Sequence, residues 1–273
     1  MRILVTGATG NVGRLVVDHL LAAGTAETAG TIEVRALTTN PAKAALPDGV
    51  EVVQGYLGRT ETMPAALDGV DRMYLAPLPG TAREVLALAG KAGVDRVVAL
   101  SGGQGSWWYG VQEAVNESGI DATHLEPGEF MLNSTMWAEQ IRTTGVVRDA
   151  YPGSANAPID LDDIAAVAAT VLLEDGHLGR SYELTGPETI SRAEMVRCIG
   201  AALGREIPFE ELTHEQAVEL LTPSMGEYAR WYVDGMAELA AHPQQPTATV
   251  RELTGRPATT FAAWAVQHAG EFR

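Results

Sequence analysis

The sequence contains a single cysteine, Cys198, so no disulfide framework can hold the chain together. Cys198 falls among Met195, Val196, Ile199 and Leu203 at helical spacing, where a small buried apolar residue is expected rather than a nucleophile. Basic residues are scarce: 19 Lys and Arg stand against 35 Asp and Glu, a net charge of −16. Such a surface repels phosphate backbones and anionic lipid, which argues against nucleic-acid and membrane partners. Uninterrupted apolar runs of roughly 18 residues, the length of a membrane span, are missing. The chain also opens directly into a strand without a signal-peptide layout, and a cytoplasmic protein is expected. The six histidines form no H-x-x-x-H or Cys/His cluster, so no metal is expected. Neither a G-x-S-x-G elbow nor a G-x-x-x-x-G-K-[ST] loop occurs, which removes the usual hydrolase and ATPase readings.

What is present begins at the first residue: "MRILVTGATGNVGRLVVDHLLAAG". "RILVT" is an apolar, β-leaning run, and from Asn11 onward Val12, Leu15, Val16, His19, Leu20 and Ala23 recur at helical spacing up to Gly24. The order is strand, glycine loop, helix. Gly7, Gly10 and Gly13 in that setting permit a sharp turn, a close approach of backbone N–H groups to a pyrophosphate, and tight packing of helix on strand. The helix N-terminus then offers unpaired amides and a partial positive charge to an anion. A dinucleotide-binding loop is the expectation, against a plain turn.

Strand-like runs then alternate with helical ones: "TIEVRALT", "VEVVQG", "VDRMYLAPL", "VDRVVALSG" and "IDATHLEPG" are separated by "NPAKAAL", "RTETMPAALDG", "TAREVLALAGKAG" and "YGVQEAVNESG". The stretch "TAETAG" before the second strand reads as a small polar loop. This alternation predicts an α/β fold with a Rossmann-like, doubly wound parallel sheet and ligands beyond the carboxyl ends of its strands. In the second half, "IDLDDIAAVAATVLLEDG" predicts a helix entered through Asp162 or Asp163, and "RSYELTG" one more strand. Ser191 and Glu194 have capping-box spacing, with Gly204 as the stop. The tail from "PFEELTHEQ" onward reads as helical. With no Pro/Gly/Ser-rich linker, residues 1–273 are expected to form a single domain with a smaller, mainly helical substrate-side lobe over about 129–159 and 187–273.

The segments "VTGATGNVGR", "VRALTTNPAK", "GVEVVQG", "ESGIDATHLEPGEFMLN" and "TVRELTGRPATTFAAWA" together resemble the NmrA-like, atypical short-chain dehydrogenase/reductase family over nearly the whole chain. The resemblance implies an NAD(P)H-binding Rossmann-like fold in which Gly7, Thr9, Gly10, Asn11 and Val12 line the pyrophosphate. It also implies that "LAPL" (Leu75, Ala76, Pro77) and "LSGG" (Ser101, Gly102) flank the ribose and nicotinamide. Glu33 lies twenty positions after Gly13, the offset of an NAD-selecting acid, yet it falls at the start of the second strand and is expected to be a surface carboxylate. Thr38, Thr39 and Asn40 reach the strand's end, with Lys43 one turn on. The family usually has a basic residue where Thr39 stands; with no acid there and Lys43 nearby, NADP is favoured over NAD. Tyr56 follows the glycine that ends the third strand, placed either to stack near the adenine or to cover apolar surface.

Short-chain dehydrogenases usually carry Tyr-x-x-x-Lys, whereas this chain has Tyr109 followed by Glu113 on the same helical face. A carboxylate there disfavours the phenolate, leaving Tyr109 as a neutral hydrogen-bond donor or as packing. Ser101 stands where the family places a hydroxyl that polarises a carbonyl, although serine is also an ordinary turn residue. His124 is expected to be a satisfied core histidine. Glu126, with Pro127 after it, is placed to act near the nicotinamide or to pair with an arginine such as Arg142. Trp107, Trp108, Met131, Met136 and Trp137 line a pocket for flat apolar ligands or serve as packing. The leading expectation is an NAD(P)H-dependent oxidoreductase acting on a quinone-like or conjugated small molecule. The alternatives are a non-catalytic NAD(P) sensor and a non-redox cyclase or isomerase; a homodimer is implied by the resemblance alone.

Overall fold

In the computed structural model residues 1–24 and 32–273 are described, so the "TAETAG" loop lies outside the described residues. The first part of the chain runs β1 (Arg2–Val5), α1 (Asn11–Gly24), β2 (Glu33–Thr38), β3 (Glu51–Gln54), α2 (Met63–Leu67), β4 (Arg72–Leu75), α3 (Ala82–Ala92), β5 (Arg96–Leu100), α4 (Tyr109–Ser118) and β6 (Asp121–Pro127). Next come α5 (Ala138–Thr143), β7 (Val147–Ala150), β8 (Ala155–Asn156), α6 (Leu161–Leu173), β9 (Ser181–Leu184), β10 (Ile190–Ser191) and α7 (Arg192–Leu203). The chain ends with β11 (Phe209–Leu212), α8 (His214–Met225), α9 (Tyr228–Ala241), α10 (Thr249–Thr254) and α11 (Phe261–Gln267). It divides into two compact units: Met1–Pro127 with Leu161–Leu184 and Thr249–Arg256, and Gly128–Asp160 with Thr185–Ala248 and Pro257–Arg273.

The first unit is built on a seven-stranded sheet in the order β3-β2-β1-β4-β5-β6-β9, with parallel pairing throughout. β1 lies beside β4 although β2 and β3 separate them in sequence, so the winding direction reverses there and the β1 and β4 ends frame the usual ligand crevice. The central strands carry apolar residues on both faces: every residue of β5 is buried, as are the last three of β1 and β4. That is the pattern of a sheet covered by helices on both sides. α2, α3 and α4 form one contiguous layer, and α1, α6 and α10 another. Leu4, Met63, Leu67, Met73, Val85 and Val97 fill the core beneath the first layer. Each fully buried side chain of this size contributes about 1.5–3 kcal/mol.

α6 starts at Leu161, a residue or two before the predicted entry. Asp162 and Asp163 sit inside its first turn and are held by Arg256, at 2.9 and 2.7 Å, rather than closing the helix end. "NPAKAAL" makes only a single turn, Pro41–Lys43, and "RTETMPAALDG" a five-residue helix after another short turn.

In the second unit the Ser191 capping box is present, and α7 stops at Gly204, whose left-handed φ of 70° suits glycine. Trp137, Ile199, Phe261, Trp264 and Phe272 make its main core, and Val233, Met236, Ala217 and Leu221 join α8 to α9. The tail is not uniformly helical. Phe209–Leu212 is a strand, paired in parallel with Val147–Ala150, and α8 begins only after Thr213 caps it. The smaller unit also omits 249–256, because α10 packs on α6 and β9 of the first unit.

Candidate active site

β1 ends in a turn that its glycines make possible. Gly7 has φ +61°, and a Cβ there would meet Ala76 Cβ at 2.9 Å. Its carbonyl folds toward α1 and accepts the Gly10 amide at 2.8 Å. Gly13 is the tightest position: a Cβ would lie 2.2 Å from Gly7 O and 2.7 Å from Gly7 C, both backbone atoms. Helix and loop therefore touch at a distance only glycine allows. Thr6, not singled out from the sequence, locks the crevice: its buried Oγ1 donates to Tyr74 O at 2.9 Å and accepts the Ala76 amide at 2.8 Å. The ends of β1 and β4 are thereby tied. Gly7, Thr9, Gly10 and Asn11 are exposed, Val12 is buried beneath them, and α1 has no acidic residue in its first turn. A helix start whose first amides lack intrahelical partners, with its partial positive charge and no acid in its first turn, suits a diphosphate.

Thr38 is buried at the end of β2, while Thr39, Asn40 and Lys43 are exposed beyond it. Arg14, also missed in the sequence, donates to Ala44 O at 2.6 Å and Ala45 O at 2.8 Å, fastening α1 to the same loop. The only sequence signal for it is its position directly after the third glycine. Glu33 stands at the opposite end of β2, paired with Arg2 at 2.8 Å. Tyr56 lies over Gly58, where a Cβ would meet its ring at 2.5 Å, and it is 45% exposed.

At the ends of β4 and β5, Leu75 is buried and Ala76 and Pro77 are half-buried. Ser101 is fully buried, its Oγ 3.0 Å from His124 Nδ1, and His124 Nε2 is 3.0 Å from Asn116 Oδ1. Because the Asn116 oxygen accepts, Nε2 carries the hydrogen and Nδ1 accepts from Ser101. Burial lowers the His124 pKa against the raising effect of Glu126, so the imidazole stays neutral. The Ser101 hydroxyl thus points into this network. Gly102 packs against Ser106, whose Oγ would be 2.1 Å from a Cβ. Tyr109 opens α4, half-buried, with Glu113 half-buried one turn on. Glu126 and Pro127 close β6. Glu126 accepts from Gln112 Nε2 at 2.6 Å, not from an arginine, and Arg142 bonds Glu139 at 3.2 Å within the second unit.

The second unit has a pocket of its own, about 590 Å³, lined mainly by apolar surface. Its walls include Trp231, Met236 and Leu239 of α9, with Glu129, Asn156 and Arg192 among its polar groups. Met131 and Trp137, expected there or in packing, are core residues, and Trp107 is exposed in the first unit. Arg192 contacts Asp149, and its guanidinium lies 4.8 Å from the Trp137 ring centre. Burial opposes its charge, but the Tyr232 hydroxyl and the Asp149 and Glu129 carboxylates outweigh burial and hold its pKa above the ordinary value. Asp149 also accepts Trp137 Nε1–H at 2.8 Å and the Ala150 amide at 2.8 Å. Tyr232 donates to Glu129 at 3.1 Å, and its phenol pKa is raised, chiefly by burial.

A model of the NAD(P)H-binding family matches residues 7–175. The chain is 36% identical to (4-alkanoyl-5-oxo-2,5-dihydrofuran-3-yl)methyl phosphate reductase of Streptomyces griseus, over 99% of both chains. It is 37% identical to NAD(P)H azoreductase of Xenophilus azovorans, again over 99% of both. The NADPH-dependent quinone oxidoreductase of Escherichia coli has a solved structure that aligns with a TM-score of 0.82 at 27% identity, covering 98% of this chain and 99% of that one. The chain therefore belongs to the NAD(P)H-binding family, in its atypical short-chain dehydrogenase/reductase branch.

Proposed function

We propose that the protein is an NAD(P)H-dependent reductase of conjugated, electron-poor small molecules, with quinones as the favoured class. The observation that carries this reading is the glycine loop, where the contact of Gly13 with the Gly7 carbonyl brings an acid-free helix end up to the crevice at β1 and β4. Bound there, the reduced nicotinamide supplies a hydride. The residues of the chain have simpler tasks: the loop amides hold the diphosphate, and Lys43 with Arg14 supplies positive charge near the end of β2, favouring NADP. The Ser101–His124–Asn116 network fixes the end of β5.

The names of the relatives support the acceptor class, since a dihydrofuranone, an azo bond and a quinone are all conjugated and electron-poor. Glu113 in place of the usual lysine supports it as well. A quinone that has gained a hydride is a stable hydroquinone anion and collects its proton from water, so it needs no lysine-assisted phenol. The balance is quinone plus NADPH plus one proton giving hydroquinone and NADP⁺. A panel of quinones, enones, azo compounds and aldehydes, followed by NADPH absorbance and by product analysis, tests the reading. One hydroquinone formed per NADPH consumed is the expected result. No oxidation with any conjugated acceptor, despite bound cofactor, would overturn it.

A further inference from the structure

Glu126 stands at the carboxyl end of β6, and its charge has no counter-ion. One carboxylate oxygen, Oε1, accepts from Gln112 Nε2 at 2.6 Å, a neutral partner. The other, Oε2, makes no hydrogen bond among the described residues, and it is not sealed in: the residue is half-buried and Oε2 keeps contact with solvent. A Cβ added to Gly103 would come within 3.7 Å of Oε2, so this oxygen lies beside the loop that leaves β5. His124, two residues back on the same face of the strand, is kept neutral by burial. Glu183 of β9, opposite Glu126 in register, carries the same sign. No lysine or arginine pairs with Glu126 among the described residues. Elsewhere in this unit Asp163 is matched by Arg256 at 2.7 Å and Glu51 by Arg35 at 2.9 Å. A carboxylate half withdrawn from water without such a match carries an unrelieved cost.

A doubly wound sheet binds a dinucleotide across the point where its winding reverses, one nucleotide on each half. The glycine loop and the end of β2 belong to the β1–β3 half, which takes the adenosine; Glu126 belongs to the other, with β4 and β5. We propose that Glu126 tunes the cofactor, its carboxylate favouring the oxidised, cationic nicotinamide over the reduced, neutral one, so that bound NADPH becomes a stronger hydride donor. The proposal rests on reading the crevice at β1 and β4 as the cofactor site. A reduced ring that gives up its hydride becomes a pyridinium with one positive charge. A fixed negative charge on that side of the site lowers the energy of the product state and leaves the neutral ring nearly unaffected. Glu126 also repels the cofactor's phosphates, but equally in both oxidation states, so the repulsion cancels in the ratio of the two affinities.

The test is that ratio. NADP⁺ and NADPH are titrated separately, by calorimetry and without an acceptor, into the unaltered protein, Glu126→Gln and Asp121→Asn. Glutamine at position 126 still accepts from Gln112 and removes only the charge. Asp121, exposed at the other end of β6 and about 16 Å along the strand, removes the same charge at a distance. Glu126→Gln is expected to weaken NADP⁺ relative to NADPH about tenfold, which raises the potential of the bound two-electron couple by about 30 mV. Asp121→Asn should leave the ratio where it was. In the unaltered protein the affinity for NADP⁺ should also fall faster than that for NADPH between low salt and about 0.5 M, because the attraction to a solvent-reachable carboxylate is screened. That comparison needs no variant to fold. A ratio unmoved in folded Glu126→Gln, a shift of equal size in Asp121→Asn, or a ratio independent of salt would overturn the proposal. Loss of both affinities together would mark Glu126 as structural and overturn it as well. Failure of the unaltered protein to bind either cofactor would sink the reading of the site and this proposal with it, whereas binding with an unmoved ratio sinks the proposal alone.

Discussion

Substitution of Gly13 by alanine puts a single methyl group where the structure has no room. The added carbon would lie 2.2 Å from the Gly7 carbonyl oxygen and 2.7 Å from its carbon. Ordinary contact for such a carbon begins at 3.4 Å, so loop and helix must separate by roughly 1 Å. Both sides are backbone, and no flexible side chain can give way. Overpacking of this kind costs about 1–3 kcal/mol, which lowers Tm by about 2–12 °C at about 2–4 °C per kcal/mol. Where the loop amides hold the diphosphate as proposed, the same displacement costs hydrogen bonds worth about 1.5–3 kcal/mol each, and losing one or two weakens NADPH binding about ten- to a thousandfold or more. Gly10→Ala is the control. Its added carbon meets the Gly7 oxygen at 3.2 Å, which a shift of a few tenths of an ångström relieves. Gly10→Ala should therefore leave the Tm of the cofactor-free protein nearly unchanged and weaken only cofactor binding. Differential scanning calorimetry without cofactor, paired with NADPH titration, separates the two effects. A Gly13→Ala protein with unaltered Tm and unaltered affinity would refute the argument from close approach.

Three other perturbations have expected outcomes. Ser101→Ala leaves the buried His124 Nδ1 without its donor and should cost about 1–3 kcal/mol in urea unfolding, a loss not expected if the hydroxyl faces solvent. Asp149→Ala strands the Arg192 charge in an apolar setting, and chemical denaturation should show a loss of about 3–5 kcal/mol, because the pair is almost fully buried. Asp162 has its carboxyl pKa lowered, first by its hydrogen bond with His19 and then by the His19 and Arg256 charges, against an opposing effect of burial. A depressed carboxyl stabilises the fold above its unfolded value of 3.8, and this contribution is lost as pH falls through the lower folded value. The stability gap between the unaltered protein and Asp162→Asn, followed by acid titration of the far-ultraviolet signal, should accordingly be full near neutrality and close only below that value.

Much of the first unit was legible because its signals are local. A strand buried on both faces is a short apolar run, and a parallel pairing needs a crossover connection, here helical in most cases though only a single turn joins β2 to β3, so alternation gives most of the sheet. The glycine loop was legible for the same reason: turn, close approach and helix entry fall within a few consecutive residues. Ser191 and Glu194 announced a capping box by spacing. What could not be read depends on partners distant in sequence. Phe209–Leu212 carries two glutamates and precedes a helix, and it is a strand because Val147–Ala150 supplies its hydrogen bonds. Trp137 and Met131 have the composition of a ligand wall, but the packing of Phe261, Trp264 and Phe272 around them makes them core. The Arg192 pocket gathers residues from positions 128 to 244, and nothing in the neighbourhood of Asn156 or Arg192 in the sequence shows that they meet there. Arg14 was overlooked because its partners are backbone carbonyls, which have no residue type to recognise.

The claim that the glycine loop holds the cofactor is tested most directly by titrating NADPH into the unaltered protein and into Gly10→Asp. At position 10 the new side chain's first carbon meets the Gly7 oxygen at 3.2 Å, which a small shift relieves, and the difference between Gly10→Asp and Gly10→Ala isolates the effect of charge. A carboxylate about 5 Å from a phosphate, at an effective dielectric constant of about 20, costs about 3 kcal/mol for each phosphate charge. A loss of at least about a hundredfold in NADPH affinity is predicted, with NADPH-dependent quinone reduction falling alongside it. Equal affinities for the two proteins would contradict the account.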